Sequence, residues 1–448
     1  MSEPRDTADT TAFLLGWASH RLGLDSVDPR TPLTALGLDS IKAAELLTIL
    51  EDRFGVEISA EDIYGGICVA DLAEQVAKHR DPGAGVQVAG VAAAPGAQSH
   101  PAGAGIDFSL FFFASDAQQS GSQRYQLLFD SARFADAHGF RSIWLPERHF
   151  HKFGGLYPNP AVLAAALAAI TQRVRLRAGS VVLPLHNPVR VAEDWSVVDN
   201  LSDGRVDIAF ATGWNPDDFV LAQDNYRERV DVTRSGMQSI QQLWRGESIS
   251  LPNGVGESRS VRIFPTPIQP DLATWVTCSG GVERFEMAGE LGTNVLTALL
   301  FQTVDELAEK ITAYRKARAH HGHDADAGKV TVMLHTFVGD DDAAVRQTVQ
   351  GPFKSYLADS VDLWRRGAEA LEDLDDRSRN KVLDFAFERY YRTSGLFGTP
   401  DSALPMVESL HRAGADEIAC LIDFGVAVPT VLDGLESLAT LANKARSL

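Results

Sequence analysis

The stretch AGSVVLPLHNPVRVAEDWSVVDNLSDGRVDIAF, residues 178–210, decides the fold. It continues a valine-rich apolar run, VRLRAGSVVL over 174–183, that reads as a strand. Residues Val189–Asn200 then read as a helix, and RVDIAFAT over 205–212 as the next strand. Short apolar strands joined through a helix are the repeating unit of a parallel sheet. The alternation extends in both directions. Upstream lie IDFSLFFF (106–113) with a helix over Gln123–His138, and RSIWLPE (141–147) with a helix over Pro160–Thr171. Downstream, a helix over Tyr226–Trp244 leads to TWVTCS (274–279) with Val282–Leu291 and TNVLTAL (293–299) with Val304–His320. KVTVMLHTFV (329–338) follows with a long helical insertion over 341–394, then EIACLIDF (417–424) with Val431–Ala445. Eight strand–helix units are what a (β/α)8 TIM barrel requires; a doubly wound open sheet, usually of fewer strands, is the alternative. Ser248–Arg262, with Asn253-Gly254 between apolar positions, reads as an inserted hairpin.

Ahead of the barrel, DPGAGVQVAGVAAAPGAQSHPAGAG over 81–105 has one charge-bearing end and no amphipathic period, so it reads as a flexible tether. Its Gly83, Gly85 and Gly90 echo a nucleotide-binding glycine run, but without the strand and helix that such a run needs. Before the tether, Thr11–Leu22, Ser40–Phe54 and Val69–Lys78 have helical apolar spacing, with a short turn at Ala60–Tyr64. These make a small all-α four-helix bundle. The expected organisation is therefore a bundle over 1–80, a linker over 81–105 and an α/β barrel with insertions over 106–448.

Composition narrows the partners. The chain has 448 residues, a net charge of -19 and an isoelectric point near 5.0. Both nucleic acid and anionic membranes need a positive surface, so neither is expected. Cys68, Cys278 and Cys420 are scattered without metal-ligand or disulfide spacing. The longest apolar run, AVLAAALAAI, is too short to span a bilayer, and the opening residues lack a basic signal-peptide region. A soluble cytoplasmic protein is expected.

The bundle carries LGLDSIKAAELLTILEDRFGVEIS over 36–59, with Ser40 at the head of a helix. An ordinary helix N-cap would explain the serine by itself. The whole segment, however, resembles an acyl or peptidyl carrier protein, and Ser40 falls where such proteins attach 4'-phosphopantetheine. A hydroxyl at a helix N-terminus is exposed, and a phosphodiester formed there is favoured by the helix dipole. The resemblance implies a phosphopantetheinyl transferase and assembly-line enzymes as partners.

Barrel ligands sit at the C-terminal strand ends. Those ends read FFFASD with Ser115 and Asp116, WLPERHF with Glu147, Arg148 and His149, FATGWNPDDF, and CSGGVERFEMA. Thr277, Cys278, Ser279, Gly280 and Gly281 turn directly into a helix, and free N–H groups there suit an anion, although a tight turn gives the same pattern. His320, His321 and His323 with Asp324 are metal ligands by type, but they follow a helix at the N-terminal rim and read as a solvated loop. No metal is expected.

The blocks WLPERHFHKFGGLYPNP, GWNPDDF and the opening stretch resemble the bacterial luciferase-like flavin monooxygenases, in particular the subgroup beside polyketide and nonribosomal peptide assembly lines. The resemblance implies reduced FMN as cofactor and molecular oxygen as co-substrate. It places Gly179 and Ser180 under the isoalloxazine ring, often at a cis peptide, with Ala114, Thr212 and Gly213 on the flavin site. Ser279, Gly280, Gly281 and Val282 match the phosphate site. Luciferases have an arginine at the position of Thr212, so the backbone and another side chain, Arg284 being one candidate, must hold the anion here. A second departure is Arg148, which replaces the first histidine of a Glu-His-His motif. Arginine does not act as a base at neutral pH but stabilises an oxyanion. His149 then becomes the acid/base candidate, beside Glu147, with a structural rim histidine as the plain alternative. Trp214 and Asn215 line the pocket or pack it.

The resulting expectation is a two-component monooxygenase. A separate flavin reductase supplies reduced FMN, and a carrier-bound acyl or aminoacyl thioester is hydroxylated. Baeyer–Villiger oxygenation of a tethered ketone, a non-catalytic flavin barrel that docks the carrier, and a deazaflavin-dependent dehydrogenase are the alternatives. Related barrels often pair, so a homodimer is open.

Overall fold

The computed structural model describes residues 7–22, 27–31, single positions between 33 and 54, 67–79, 105–113, 124–152, 154–279, 281–300, 302–363, 376–446 and 448. By compactness the chain divides into residues 1–96 with 357–393, and residues 97–356 with 394–448.

The second unit is the expected barrel. Strands β1 (Asp107–Phe111), β2 (Ser142–Leu145), β3 (Arg175–Val182), β4 (Val206–Ala211), β7 (Thr274–Thr277), β8 (Asn294–Ala298), β9 (Val330–Val338) and β11 (Glu417–Leu421) run parallel. Pairing of β8 with β9 closes the ring. The strands are buried along nearly their whole length, because helices cover the outside and side chains fill the inside. The hairpin is present as β5 (Ile249–Pro252) and β6 (Ser258–Val261), antiparallel.

Chemistry at the helix starts repeats. Two helices of the ring, α4 (Pro160–Ala168) and α5 (Pro188–Ser202), begin at Asn-Pro pairs. Asn159 accepts from the Val162 N–H at 3.2 Å and Asn187 from the Val189 N–H at 2.9 Å. Each proline fills the first helical position, where an N–H is not needed. Helix α3 (Gln126–His138) precedes them, and α6 (Arg229–Trp244), α7 (Val282–Glu290) and α8 (Val304–His320) follow. Sequence spacing starts α6 at Tyr226; the structure has two 3-10 turns, Pro216–Leu221 and Gln223–Asn225, before it.

The insertion after β9 consists of α9 (Asp342–Leu363) and α10 (Asp376–Thr393). Two elements beyond it have no counterpart in the sequence reading. β10 (Leu396–Gly398) adds to the upper half of β9, and α11 (Pro400–Ala413) is the barrel's own seventh helix. Three residues are too few to display a period, and Pro405 interrupts the helical pattern. Helix α12 (Val428–Ala445) closes the ring.

A charged network fills the barrel interior. Arg177 on β3 donates to Glu417 on β11 at 2.6 and 2.9 Å and to Asp207 on β4 at 2.7 Å. Arg175 binds the same Asp207 at 2.6 and 2.7 Å. Glu417 also accepts from Ser109, Ser142 and the Trp144 indole. The Arg177 guanidinium lies 4.8 Å from the Trp144 ring and 4.5 Å from that of Trp275. Every carboxylate in this layer therefore has a cation, as burial demands.

The first unit is helical. It contains α1 (Thr7–Leu22), α2 (Val69–His79) and, from the insertion, α10, with Lys42, Leu46, Ile49, Leu50 and Phe54 helical between α1 and α2. Leu14, Trp17, Leu33, Leu38, Leu46, Leu50, Phe54, Leu72 and Val76 form one buried core. Ser40, the turn at 60–64 and most of the tether lie outside the described residues. Among the described residues, no helix is long and apolar enough to cross a membrane. The three cysteines are buried and unpaired with one another.

Candidate active site

The C-terminal end of the barrel gathers polar groups that the sequence keeps far apart. Glu147 leaves β2 with its side chain only 1% exposed. Its Oε1 lies 2.8 Å from His149 Nε2 and 2.5 Å from His186 Nε2, and its Oε2 accepts from the Val182 N–H at 2.7 Å. Burial pushes the Glu147 carboxyl up, but the bonds from both histidines, the His186 charge and the Val182 amide together hold it below the usual range. His186 is opposed by burial as well, yet Glu147 and then Asp194 raise it above its ordinary value. A carboxylate oxygen of Glu147 and a ring nitrogen of each of His149 and His186 lie within 4.8 Å of one another. Here the glutamate oxygen accepts from both rings. The His320 region, by contrast, bonds to helix carbonyls: His321 to Ala317 and His323 to Glu290.

Arg148 packs against aromatic rings. Its guanidinium carbon lies 4.5 Å from the Phe113 ring and 5.9 Å from the Trp214 ring, and the Arg148 backbone N–H donates to the Tyr157 carbonyl at 2.9 Å. Burial lowers its pKa, opposed by the Tyr356 and Asp218 charges, but from a starting value so high that the cation persists. Gly154, at φ +80°, leaves space for Arg148: a Cβ there would stand 2.9 Å from its Cγ. Trp214 is 43% exposed at the mouth. Asn215 donates to Asp218 at 2.9 Å. Burial pushes the Asp218 carboxyl up, against the pull of His149 and Arg148. Asp423, past β11, accepts from the Phe113 N–H at 2.8 and 2.9 Å and from the Tyr157 hydroxyl at 3.3 Å.

His186, Asp218 and Asp423 were absent from the sequence-derived candidates. Each follows a barrel strand closely, which is the signal that would have marked them.

The flavin candidates divide into three groups. The Gly179–Ser180 peptide is cis, and the register of β3 on β4 shifts between Gly179 and Val181. A Cβ on Gly179 would stand 2.9 Å from the Phe111 ring and 3.0 Å from that of Trp144, so only glycine fits. Ser180 Oγ bonds to Thr277 Oγ1, which ties the β3 seat to the end of β7. Thr212 and Gly213 follow β4, and Gly213 at φ +73° packs on Phe219 and Val182. Ser279, Gly281 and Val282 are exposed at the head of α7. Gly281 has φ -64°, which any residue adopts, and a Cβ there would meet only the end of Glu283. Arg284 folds along its own helix, 3.9 Å from the Met287 sulfur. Ala114 and Gly280 lie outside the described residues.

A family model described as luciferase-like monooxygenase matches residues 106–417. The chain belongs to this family. A second model, phosphopantetheine attachment site, matches residues 13–76, so a carrier domain is joined to the luciferase-like enzyme. The oxygenase component of the flavin-dependent trigonelline monooxygenase of Acinetobacter baylyi is 26% identical over 345 residues, covering 74% of this chain and 93% of that protein. Among solved structures, monooxygenase RslO1 of Streptomyces bottropensis has a TM-score of 0.61 and 24% identity over 75% of this chain and 98% of that one. The oxygenating constituent of the 3,6-diketocamphane monooxygenase of Pseudomonas putida, a type II Baeyer–Villiger enzyme in complex with FMN, has a TM-score of 0.62 and 19% identity over 76% and 98%. At these identities the structures share the luciferase-like fold.

The residues of the luciferase-like mouth suit a flavin. The seat around Gly179 and Ser180 offers backbone and hydroxyl groups to a flat heteroaromatic ring. The head of α7 offers free N–H groups to a phosphate. One feature opposes this: the Glu283 carboxylate lies against Gly281 and must turn outward for an anion to approach.

Proposed function

We propose that the protein is the oxygenase component of a two-component system that oxygenates an acyl or aminoacyl thioester held on a phosphopantetheine arm. The observation that carries this reading is the presence, on one chain, of a phosphopantetheine attachment domain and a luciferase-like barrel. In it, residues 1–80 are the carrier, 81–105 the tether and 106–448 the barrel, acting in a cytoplasmic natural-product assembly line with a separate flavin reductase. Bound at Gly179, Ser180, Thr212, Gly213 and the head of α7, reduced FMN supplies the two electrons that activate oxygen. A tethered substrate is presented at roughly millimolar effective concentration, so the mouth need not bind the acyl group tightly. His149 exchanges a proton at the reacting atom, Glu147 orients its ring, and Arg148 stabilises a developing oxyanion.

Hydroxylation is the favoured outcome, because it needs no ketone in the substrate. Arg148, a largely buried cation at the mouth, favours a second reading in which oxygen inserts beside a tethered ketone. The test is turnover of the loaded carrier under isotopically labelled oxygen with reductase present. One labelled atom appears in the acyl group, and mild base leaves a hydroxylated chain whole but splits an inserted ester. A product without label from oxygen overturns the proposal. His149→Ala lowers turnover about 10²- to 10⁴-fold, the range typical of a lost acid/base group.

Glu283 supplies a further check on where the phosphate binds. Glu283→Gln removes a negative charge from the helix start, so FMN binding tightens about two- to fivefold while riboflavin binding is unchanged. An equal effect on both ligands places the phosphate elsewhere.

A further inference from the structure

Glu147 is one carboxylate serving two imidazoles through a single oxygen. Its Oε1 faces His149 Nε2 at 2.8 Å and His186 Nε2 at 2.5 Å, while Oε2 is taken by the Val182 amide. An ionised carboxylate only accepts hydrogen bonds, so both rings carry hydrogen on Nε2. The exchangeable proton of each ring is therefore at Nδ1. One buried negative charge balances one imidazolium; a second, a few ångströms away, meets a like charge in a desolvated site.

We propose that His186 carries the proton that balances Glu147, which leaves His149 neutral and its Nδ1 available to accept a proton. His186 is a positioning residue, acting on His149 through the shared oxygen. Two asymmetries select it. Its side chain is 33% exposed against 11% for His149, so water solvates the charge better on His186. The charged neighbours differ as well. On the His186 side, α5 presents Asp194, itself paired with Arg190 at 2.8 Å, and Glu193. On the His149 side stands Asp218 from the turn after β4, whose carboxyl burial pushes toward the neutral form and whose charge Arg148 also engages. A second positive charge is thus better tolerated at His186. The raised value of His186 and the lowered value of Glu147 agree with this direction.

The use of His149 in turnover rests on the oxygenase reading; the location of the proton does not. The test is a carbon-13 histidine NMR titration of the full chain without flavin, assigned with His149→Gln and His186→Gln. His186 gains its proton at higher pH than His149. In His186→Gln the titration of His149 moves up, since it becomes the only imidazole partner for the carboxylate charge. Asp194→Asn keeps both rings and moves the His186 titration down. In turnover, the acid limb of kcat/KM moves up in His186→Gln and its high-pH plateau is kept, whereas a merely structural loss lowers all pH values alike. A His149 that protonates first, or stays unmoved in a folded His186→Gln, overturns the proposal. If His186→Gln does not fold, an unmoved His186 in Asp194→Asn overturns it. Shifted NMR titrations with an unshifted rate profile uphold the proton location and count against His149 as the acid/base of the oxygenase.

Discussion

Ser40→Ala takes up no phosphopantetheine arm. Incubated with coenzyme A and a phosphopantetheinyl transferase, the wild-type chain gains the mass of one arm by intact-mass measurement, and the variant gains none. The effect is all or nothing, because the arm is joined through one hydroxyl. In the sequence Ser40 precedes Lys42, Leu46, Ile49 and Leu50, which are helical, and Leu46 and Leu50 are in the core of the unit. Their spacing turns the apolar face inward. Serine lies within the segment matched by the attachment-site family model. An arm still acquired by Ser40→Ala shows that another hydroxyl is the attachment point. The same variant retains oxygenation of a substrate offered on a separate carrier, if the barrel acts in trans, and loses it if only its own arm serves.

Arg177→Met destabilises the barrel by about 3–5 kcal/mol, read from its urea transition, which is the range for removing one partner of a buried ion pair. The methionine fills the slot between Trp144 and Trp275 but supplies no charge. Glu417 then keeps hydrogen bonds from Ser109, Ser142 and Trp144 and loses its cation; Asp207 retains Arg175. Arg177→Met with Glu417→Gln recovers a large part of the loss, because the orphaned charge goes as well. The pH dependence changes sign. In the wild type, burial opposes the Glu417 charge, but the Arg177 cation and the hydrogen bonds hold its carboxyl below the usual range. Its contribution is therefore complete above the unfolded carboxylate value and is lost as pH falls through the folded one. Without Arg177, burial raises the carboxyl above its unfolded value, and mild acid stabilises the variant instead. A variant as stable as the wild type, or with the same pH trend, shows that the network is not held by this pair.

Local sequence was enough for whatever has a short period or a fixed spacing. The strand–helix alternation marked all eight barrel strands, since each is a short, largely apolar segment set between helical stretches. The two Asn-Pro pairs, at 159–160 and 187–188, stand at the helix starts that they cap in the structure. The carrier segment around Ser40 and the luciferase-like blocks were legible for the same reason: each is contiguous. Glu147 and His149 are two residues apart and were named together as site residues.

What the sequence could not display is which distant groups share an atom. His186 is 39 residues from Glu147, and Glu417 is 240 from Arg177. Nothing in either neighbourhood signals the other, because their encounter depends on the closed ring of parallel strands and on its register. Arg177 and Glu417 read along the chain as charges in apolar strands, a local conflict that only a partner across the barrel resolves. β10, three residues long, exists because the upper half of β9 extends beyond β8 and leaves backbone groups to pair. The sequence by itself determined the barrel, the carrier and the residues at the strand ends, through local periodicity and contiguous motifs. Only the tertiary structure decided that two histidines meet on one glutamate oxygen and that a four-charge network fills the barrel, because such contacts arise from closure, and closure has no local signature.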